Sequence, residues 1–355
     1  QRDEITINQK ANEEFYRNKN ILVTGGAGSI GSEIIRQLIK NNPALIIAVD
    51  NSETALFHLT NELNDHSNIK FELLNITHKL KLKELFREHQ FDLVFHAAAY
   101  KHVSVLENNP GAGLYNNILG TYYVKNCAQE YGVDKFVMIS TDKAVNPTNV
   151  MGASKRFCEL LVHFNAEHTK TEFVTTRFGN VLGSNGSVVP IFKEQIDKGG
   201  PITVTDPEIT RYFMTIPEAS KLVLEAGRIG LDKRIYVFDM GEPVKIFELA
   251  QNMVRLAGYE PQKDIDIVFT GLRSGEKLYE ELLLDTEKMI ASDNAYIFVA
   301  EKESLSNLQK EQIQHIVQAL LSEQSIDVLE IIKKLKLLIP EYISNNSRYS
   351  VLDHE

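Results

Sequence analysis

The sequence has few cysteines, no tryptophan and fewer basic than acidic residues. Two cysteines among 355 residues, Cys127 and Cys158, cannot form a disulfide framework, and we expect both to be free thiols in a reducing compartment. The 38 Lys and Arg residues are outnumbered by 48 Asp and Glu, and the resulting charge of −10 repels a polyphosphate backbone. Nucleic acid is therefore not expected as a partner.

Long apolar runs are also missing. No stretch of about 18 mainly apolar residues occurs, because uncharged segments such as 108–124 are interrupted by Asn, Gly and Pro. We therefore expect no membrane segment in this chain. Because the chain begins at Gln1 without an initiator Met, we expect that upstream residues were removed, and an anchor could have been lost with them.

What the chain does contain is a regular alternation of apolar runs and helical patterns. Strands are predicted at 21–24, 44–49, 69–74, 93–95 and 136–139, and helices lie between them at about 31–41, 53–66, 78–90 and 112–131. Such alternation is typical of repeated βαβ units with a parallel sheet covered on both faces. The predicted fold class is α/β, with a doubly wound parallel sheet.

A glycine-rich segment (24–31, TGGAGSIG) follows the first predicted strand and opens the first helix. It contains the pattern Gly-x-Gly-x-x-Gly, in which glycines let the backbone approach a pyrophosphate and the helix N-terminus meets the charge. This context predicts a Rossmann-like domain that binds a dinucleotide. The candidate contacts are Gly25, Gly28, Ser29, Ile30 and Gly31.

The second predicted strand ends in Asp50, about 20 residues beyond the glycines, where a carboxylate can accept hydrogen bonds from an adenosine ribose. Because this carboxylate would repel a 2′-phosphate, NAD is favoured over NADP. We also assign Asn75, Ile76, Ala97 and Ala98 to the cofactor site, and we interpret His96 as a structural histidine.

The pattern loosens after about residue 180, and the length exceeds what one core usually supports. We predict an N-terminal linker or helix (1–18), an NAD-binding domain (19–180) to which some later segments return, and a smaller α/β substrate-binding lobe (181–295). A C-terminal helical extension (296–355) follows, with apolar residues at helical spacing in 306–321 and 326–338.

Candidate catalytic residues follow the fifth predicted strand, where open α/β sheets bind their ligands. Asp142 and Lys143 are an adjacent acid and base that could move protons in opposite directions, provided that burial and mutual charge adjust their pKa values. Met151 and Lys155 lie one turn apart on the next helix, and Lys155 could reach the nicotinamide ribose.

Together these residues resemble the extended short-chain dehydrogenase/reductase superfamily over about residues 15–290. Within it, residues 140–147 (STDKAVNP) are similar to the bacterial nucleotide-sugar 4,6-dehydratases, and specifically to the UDP-N-acetylglucosamine 4,6-dehydratases of protein glycosylation, capsule and O-antigen pathways. The superfamily signature is Tyr-x-x-x-Lys, but this chain has Met151 in place of the Tyr. The long, membrane-anchored branch of the dehydratases also carries Met there.

The resemblance implies that NAD takes a hydride from carbon 4 of UDP-N-acetylglucosamine, Lys143 removes the proton on carbon 5, and Asp142 protonates the departing 6-hydroxyl. Return of the hydride to carbon 6 would give a 4-keto-6-deoxy sugar and make the cycle redox-neutral. A thioether cannot accept the 4-hydroxyl proton, so Thr141, an ordered water or the Asp142 and Lys143 pair must do so.

Several loops are implied to hold the substrate. By resemblance, Asn180 (in 177–186, RFGNVLGSNG), Arg211 and Arg273 contact the diphosphate, and Glu276 holds the uridine ribose. Lys101 is a further candidate contact for the sugar or the cofactor. The family often has proline where this chain has Ser274, and we expect its loss to loosen the loop.

Two other functions remain open: a UDP-sugar 4-epimerase, which shares the oxidation at carbon 4, and a non-catalytic NAD-binding regulatory protein. Because there is no His-Glu-x-x-His or paired Cys-x-x-Cys motif, no metal is expected. The resemblance implies a cytoplasmic enzyme. It also implies a homo-oligomer that pairs through helices 112–131 and 149–168.

Overall fold

The computed structural model describes residues 5, 7–166, 169–284, 287–301, 304–322 and 327–353. Residues 1–4 and 6 of the predicted N-terminal segment lie outside this part. The strands are β1 (Asn20–Thr24), β2 (Leu45–Asp50), β3 (Ile69–Leu73), β4 (Leu93–His96), β5 (Lys135–Ile139), β6 (Glu172–Arg177), β7 (Asn180–Leu182), β8 (Ile202–Val204), β9 (Thr210–Arg211), β10 (Phe213–Thr215), β11 (Arg234–Phe238), β12 (Val244–Lys245), β13 (Ile267–Phe269), β14 (Lys288–Ala291) and β15 (Ile297–Glu301).

The helices alternate with these strands. They are α1 (Gln9–Tyr16), α2 (Ser29–Ile39), α3 (Glu53–Leu63), α4 (Lys79–Glu88), α5 (Val103–Asn108), α6 (Pro110–Gly113), α7 (Gly120–Glu130), α8 (Val150–His163), α9 (Val188–Asp197), α10 (Ile216–Ile229), α11 (Ile246–Leu256), α12 (Asn307–Leu321) and α13 (Val328–Leu338). The predicted helix at 112–131 contains a π-helical segment, Leu114–Leu119, before α7.

The large sheet has the order β14-β15-β11-β6-β5-β4-β1-β2-β3 in the described residues. The pairs from β3 to β11 are all parallel, and β1 pairs with both β2 and β4. The strand order therefore reverses between β1 and β4, which opens a crevice at their carboxyl ends. This topology confirms the predicted Rossmann-like fold class.

Two apolar cores cover the two faces of this sheet. On one face, buried side chains of α4, α7 and α8 pack with the strands in a core that also includes α12 and α13, and on the other face those of α1, α2, α3 and α10 do so. A third, smaller core joins α9 and α11 to β8 and β13. This third core forms the lobe beside the crevice.

Two strands lie elsewhere than the sequence suggested. We expected a short strand at 235–238 within the second lobe, but β11 lies in the large sheet beside β6. The segment from residue 296 was predicted to be helical, yet it begins with β15, which pairs antiparallel with β11. Ile297 and Ala300 of β15 are fully buried, so pairing with β11 removes their apolar surface from water. A short apolar run in the sequence does not show by itself with which strand it pairs.

The C-terminal helices cover α8. Residues 150–162 are all buried, and apolar side chains of α12 and α13 share their core, among them Ile313, Ile316 and Ile332. α8 therefore presents almost no surface to a second chain, contrary to our expectation that 149–168 pairs between copies. Residues 167 and 168 of that range lie outside the described residues.

Candidate active site

The glycine-rich segment lies in the crevice between β1 and α2. A Cβ atom on Gly25, whose φ is +66°, would lie 2.7 Å from the backbone nitrogen of Ala98, and one on Gly31 would lie 2.1 Å from the carbonyl oxygen of Gly25. Only glycine fits at either position. The N-cap residue of α2 is Gly28, which has no side chain to cap the first amides of the helix, so these amides can bind an anion.

Asp50 lies beside this segment at the end of β2. Its Oδ2 accepts a hydrogen bond from the Ala27 amide at 3.0 Å, and its Oδ1 accepts one from the Ser52 amide at 2.9 Å. The carboxylate thus holds the phosphate-binding turn, and its remaining lone pairs can accept from ribose hydroxyls. The contact with Ala27 was not predicted from the sequence.

The other predicted cofactor residues follow neighbouring strands. Ala97 and Ala98 come directly after β4, where Ala98 approaches Gly25. Asn75 and Ile76 follow β3. The Asn75 side chain accepts from the amide and hydroxyl of Thr77, and Ile76 is buried against α7. These residues form one edge of the crevice.

His96 is a buried residue with both ring nitrogens occupied. Nδ1 lies 2.8 Å from Thr24 Oγ1, and Nε2 lies 2.9 Å from Thr121 Oγ1. Burial, with a smaller contribution from Lys155, lowers the pKa of His96 to about 3. The ring is therefore neutral and structural at physiological pH.

Thr141, Asp142 and Lys143 lie together just beyond β5, where residues Asp142–Ala144 form a short 3₁₀ turn, called here the catalytic turn. Asp142 Oδ1 accepts hydrogen bonds from Thr141 Oγ1 at 2.8 Å and from Lys143 Nζ at 3.0 Å. Lys143 Nζ also donates to Asn180 Oδ1 at 2.8 Å. The structure thus brings one predicted substrate residue to the predicted catalytic pair.

The two members of the pair differ in access. The Asp142 side chain is fully covered, whereas 19% of the Lys143 side chain is exposed. Asp142 Oδ2 has no hydrogen-bond partner among the described residues and lies near Gly179, where a Cβ atom would come within 3.2 Å of it. Lys143 is therefore the member of the pair that a bound sugar can touch directly.

Glu280 is a third ionisable group at this site, and it was not predicted from the sequence. Its Oε1 lies 3.6 Å from Lys143 Nζ and 3.7 Å from Arg211 Nε, and its Oε2 is buried with no hydrogen-bond partner in the part of the chain that the structure describes. Burial raises the pKa of Glu280, and Lys143 partly opposes this. The adjacent acidic residues at 280 and 281, close after the 271–277 motif, were the available signal.

These carboxylates reverse one expectation. Burial alone would lower the pKa of Lys143, but the charges of Asp142 and Glu280 outweigh it and raise the pKa above its ordinary value. A base at this position needs a lowered pKa, which we expected burial and mutual charge to provide. The structure instead favours the ammonium form, because two carboxylates lie within 4 Å of the nitrogen.

Met151 and Lys155 lie on the first turns of α8, which Asn149 caps by accepting from the Gly152 amide at 2.8 Å. Both are buried. Lys155 Nζ donates to the Ile139 carbonyl at 2.7 Å, and burial lowers the pKa of this lysine. Lys155 thus joins α8 to the end of β5, beside the catalytic turn.

Arg211, another predicted substrate residue, lies beside Glu280. The Arg211 guanidinium donates to the carbonyls of Thr210, Lys277 and Leu278 and lies 3.5 Å from Glu276 Oε1. Its donors therefore hold the 277–278 backbone in this structure.

Arg273 and Lys101 complete the set of predicted substrate contacts. Arg273 is exposed, and its amide donates to Glu276 Oε2 at 3.1 Å. Lys101 Nζ donates to Ser184 Oγ at 3.3 Å, and burial followed by the charge of Lys143 lowers the pKa of Lys101. Asn180 thus bonds Lys143 directly, Arg211 is connected to Lys143 through Glu280, and Arg273 is connected to Glu276.

The described residues offer neither a cluster of metal ligands nor a membrane-spanning helix. In the part of the chain that the structure describes, no three His, Cys, Asp or Glu side chains are grouped so that they could hold a metal ion. None of the helices described there combines the length and apolarity needed to cross a bilayer.

Comparison with known proteins identifies the family. Residues 21–302 match the family model described as polysaccharide biosynthesis protein. The capsular polysaccharide biosynthesis protein CapD of Staphylococcus aureus is 50% identical over 291 residues, which cover 81% of this chain and 48% of CapD. The chain therefore spans about half the length of such relatives.

Relatives with two different enzyme names are similarly related to the chain. A UDP-N-acetylglucosamine 4,6-dehydratase (inverting) of Campylobacter jejuni is 35% identical over 80% of this chain and 80% of its own length. A UDP-glucose 4-epimerase of Rickettsia typhi is 34% identical over 79% of this chain and 82% of its own length.

The solved structure of Pen from Bacillus thuringiensis superposes with a TM-score of 0.75. It is 31% identical and covers 86% of this chain and 99% of Pen. With the phosphate-binding crevice and the residues beyond β5 in place, the family match over most of the chain supports one conclusion. The chain belongs to the polysaccharide biosynthesis protein family of extended short-chain dehydrogenases/reductases.

Proposed function

We propose that the chain catalyses the NAD-dependent 4,6-dehydration of UDP-N-acetylglucosamine to a UDP-4-keto-6-deoxy-N-acetylhexosamine, in the cytoplasmic steps of bacterial glycan or glycoprotein biosynthesis. The observation that carries this proposal is the hydrogen bond between Lys143 Nζ and Asp142 Oδ1 at the carboxyl end of β5. An acid and a base in contact at that position can serve both proton transfers of an elimination.

NAD fits the crevice. The glycines at 25 and 31 leave no room for a Cβ atom, and the uncapped amides of α2 lie where a pyrophosphate would bind. When bound, NAD accepts the hydride from carbon 4 and returns it to carbon 6. In this proposal Gly25, Gly28, Ser29, Ile30 and Gly31 hold the pyrophosphate, Asp50 the adenosine ribose, and Lys155 the nicotinamide ribose.

The proton chemistry starts from the hydrogen bond between Lys143 and Asp142. The elimination needs an amine at Lys143 and a carboxylic acid at Asp142. Lys143, whose side chain is partly exposed, would lose its proton to solvent, and the Asp142 carboxylate would gain the proton released from the 4-hydroxyl. The amine of Lys143 then takes the proton of carbon 5, which the 4-ketone acidifies, and the acid of Asp142 gives its proton to the departing 6-hydroxyl. Because Asp142 is fully covered, the catalytic turn must shift when the sugar binds.

The oxidation at carbon 4 needs a proton acceptor, because the thioether of Met151 cannot take the proton of the hydroxyl. Thr141 Oγ1 donates to Asp142 and accepts from the Lys143 amide, so it connects this position to the same pair. In this proposal Thr141 relays the 4-hydroxyl proton to the Asp142 carboxylate, and Lys143 later returns its proton to carbon 5 as the hydride reaches carbon 6. Asn180, Arg211, Arg273 and Glu276 hold the nucleoside diphosphate, and Lys101 lies beside the sugar.

Mass spectrometry of the product tests the function. Incubation with NAD and UDP-N-acetylglucosamine should give a product lighter by one water. A product of unchanged mass would support the second candidate, a 4-epimerase, which the Rickettsia relative favours. NAD binding without any product would contradict both enzymes and favour a regulatory protein.

Substitution of Lys143 tests the assignment of residues. Lys143→Ala should abolish dehydration and leave NAD affinity unchanged, because the lysine lies beyond β5 and away from the phosphate-binding crevice. Met151→Ala should be less damaging, since its side chain transfers no proton. Near-normal turnover by Lys143→Ala would show that another group removes the proton from carbon 5.

A further inference from the structure

Glu107 is a buried carboxylate outside the predicted site that connects three distant segments. It lies on α5 and is 4% exposed. Its Oε1 accepts from the Val150 amide at the start of α8 at 2.7 Å. Its Oε2 accepts from Ser274 Oγ at 3.3 Å and from Ser347 Oγ at 2.5 Å. A charge at this depth needs such donors, and the N-terminal dipole of α8 also favours it.

The loop at 271–276, called here the nucleotide loop, carries Arg273 and Glu276. Its backbone is held from the side of α8 by two donors, since Thr148 Oγ1 and Asn149 Nδ2 both lie 2.9 Å from the Gly275 carbonyl. A Cβ atom on Gly275 would lie only 2.5 Å from the Cβ atom of Asn149. The loop and the start of α8 therefore make direct backbone contact.

The opposite side of the nucleotide loop is held by residues 343–353, called here the C-terminal tail. The Asn345 carbonyl accepts from the Gly275 amide at 2.7 Å, and Asn345 Nδ2 donates to the Glu276 carbonyl at 2.9 Å. The Asn345 amide also donates to the Thr148 carbonyl at 3.2 Å. The loop thus lies between α8 and the tail.

Ser274 and Ser347 bring these contacts together on one carboxylate. Ser274 belongs to the nucleotide loop and Ser347 to the C-terminal tail, yet both donate to the same oxygen of Glu107. The hydroxyl of Ser274 therefore adds a contact at the position where we expected a looser loop. The C-terminal tail lies beyond residues 21–302, which match the family model.

We propose that Glu107 and the C-terminal tail are positioning elements that set the nucleotide loop to bind a nucleoside diphosphate. The inference rests on the proposed function, because it takes Arg273 and Glu276 as the residues that contact the nucleotide. Glu107 touches no substrate itself. It acts through Ser274 and Ser347 on the conformation of the loop.

Titration with UDP alone tests this role without any need for turnover. Ser347→Ala removes one hydrogen bond to a charged group, and we expect the Kd for UDP to rise roughly 10-fold. Glu107→Gln keeps the size of the side chain but removes its charge, and it should have a similar effect. Ser322→Ala is the matched control, because the Ser322 hydroxyl donates to the Ala319 carbonyl at the end of α12 and bonds neither Glu107 nor the nucleotide loop within the described residues.

A positioning role predicts two further results. Ser274→Ala and Ser347→Ala should be non-additive when combined, since both hydroxyls act on one oxygen. The KM for UDP-N-acetylglucosamine should rise with the Kd for UDP, while kcat changes by less than about 2-fold and the Kd for NAD stays constant. A purely structural role would instead lower stability without this split.

The outcomes separate this inference from the proposed function. UDP affinity equal to wild type in Ser347→Ala and in Glu107→Gln would overturn the role of the tail, even if dehydration is observed. UDP binding that is sensitive to these variants, without any dehydration by the wild type, would overturn the proposed function and support the tail. A wild-type chain that does not bind UDP would overturn both.

Discussion

Single charged residues decide the protonation of the candidate site. Lys143 is held between Asp142 and Glu280, so its ammonium form is favoured although burial alone opposes it. Glu280 also contacts Arg211, which places a buried carboxylate between the proposed base and a proposed diphosphate ligand. The position of Glu280 therefore links substrate binding to the proton affinity of Lys143.

Removal of the Glu280 charge should change the pH dependence of the reaction. Glu280→Gln takes away a charge that raises the pKa of Lys143, so this pKa should fall. Because Lys143 acts as the amine, the rise of kcat/KM with pH should move to lower pH.

Glu281→Gln is the matched control for this prediction. Glu281 is exposed and bonds Asn146 and Lys277 instead of Lys143, so its pH profile should follow the wild type. An unchanged profile for Glu280→Gln would show that Glu280 does not set the pKa of the base.

At the scale of elements, the start of α8 packs directly on the catalytic turn. A Cβ atom on Gly152 would lie 2.2 Å from the Lys143 carbonyl oxygen. The helix thus packs directly against the turn, and Asn149 both caps the helix and contacts the nucleotide loop. One helix end therefore positions the proposed base and the proposed nucleotide site together.

Gly152→Ala should displace the catalytic turn. Because neither the helix backbone nor the carbonyl can yield cheaply, we expect a loss of about 1–3 kcal/mol in unfolding free energy, typical of overpacking. kcat should fall at least roughly 10-fold, since small misplacements of reacting groups are costly.

Urea unfolding and steady-state kinetics measure the two effects of Gly152→Ala. Gly111→Ala is the control, because its Cβ atom would meet Val328 at 3.4 Å, an ordinary contact, and both quantities should stay close to wild type. Wild-type kcat in Gly152→Ala would show that the turn does not depend on α8.

At the scale of the whole molecule, the crevice lies at the carboxyl ends of the central strands β1 and β4, and the two apolar cores cover the two faces of the same sheet. The phosphate-binding segment joins β1 to α2, and the catalytic turn joins β5 to α8, so the two candidate sites share the large sheet. A ligand bound in the crevice would contact loops that the strands of the large sheet hold in place, so its binding should be linked to the unfolding of that sheet.

NAD should stabilise the chain against heat. At 100 times its Kd, a ligand adds about 2.7 kcal/mol, which corresponds to a rise of about 2–4 °C in Tm for a domain of this order of size. NADP at equal concentration should give a smaller shift, because the Asp50 carboxylate repels a 2′-phosphate. Differential scanning calorimetry with both nucleotides measures the difference, and equal shifts would contradict the proposed role of Asp50.

The sequence by itself determined the features that depend on local backbone chemistry. The glycines at 25 and 31, the strand end at Asp50 and the adjacent pair at 142 and 143 were all predicted, because each constraint lies within a few residues of chain. The alternation of strands and helices was sufficient for the fold class, since parallel strands require helical crossovers. Family resemblance added the expected substrate contacts.

Only the tertiary structure decided which distant groups meet. Glu280 lies 137 residues from Lys143 in the chain and Ser347 lies 240 residues from Glu107, so no local pattern predicts either contact. The placement of β15 in the large sheet and the cover of α8 by α12 and α13 have the same origin. Such contacts form because folding buries apolar surface and pairs the charges that become buried. Which surfaces and charges meet is decided only when the helices and strands have packed together.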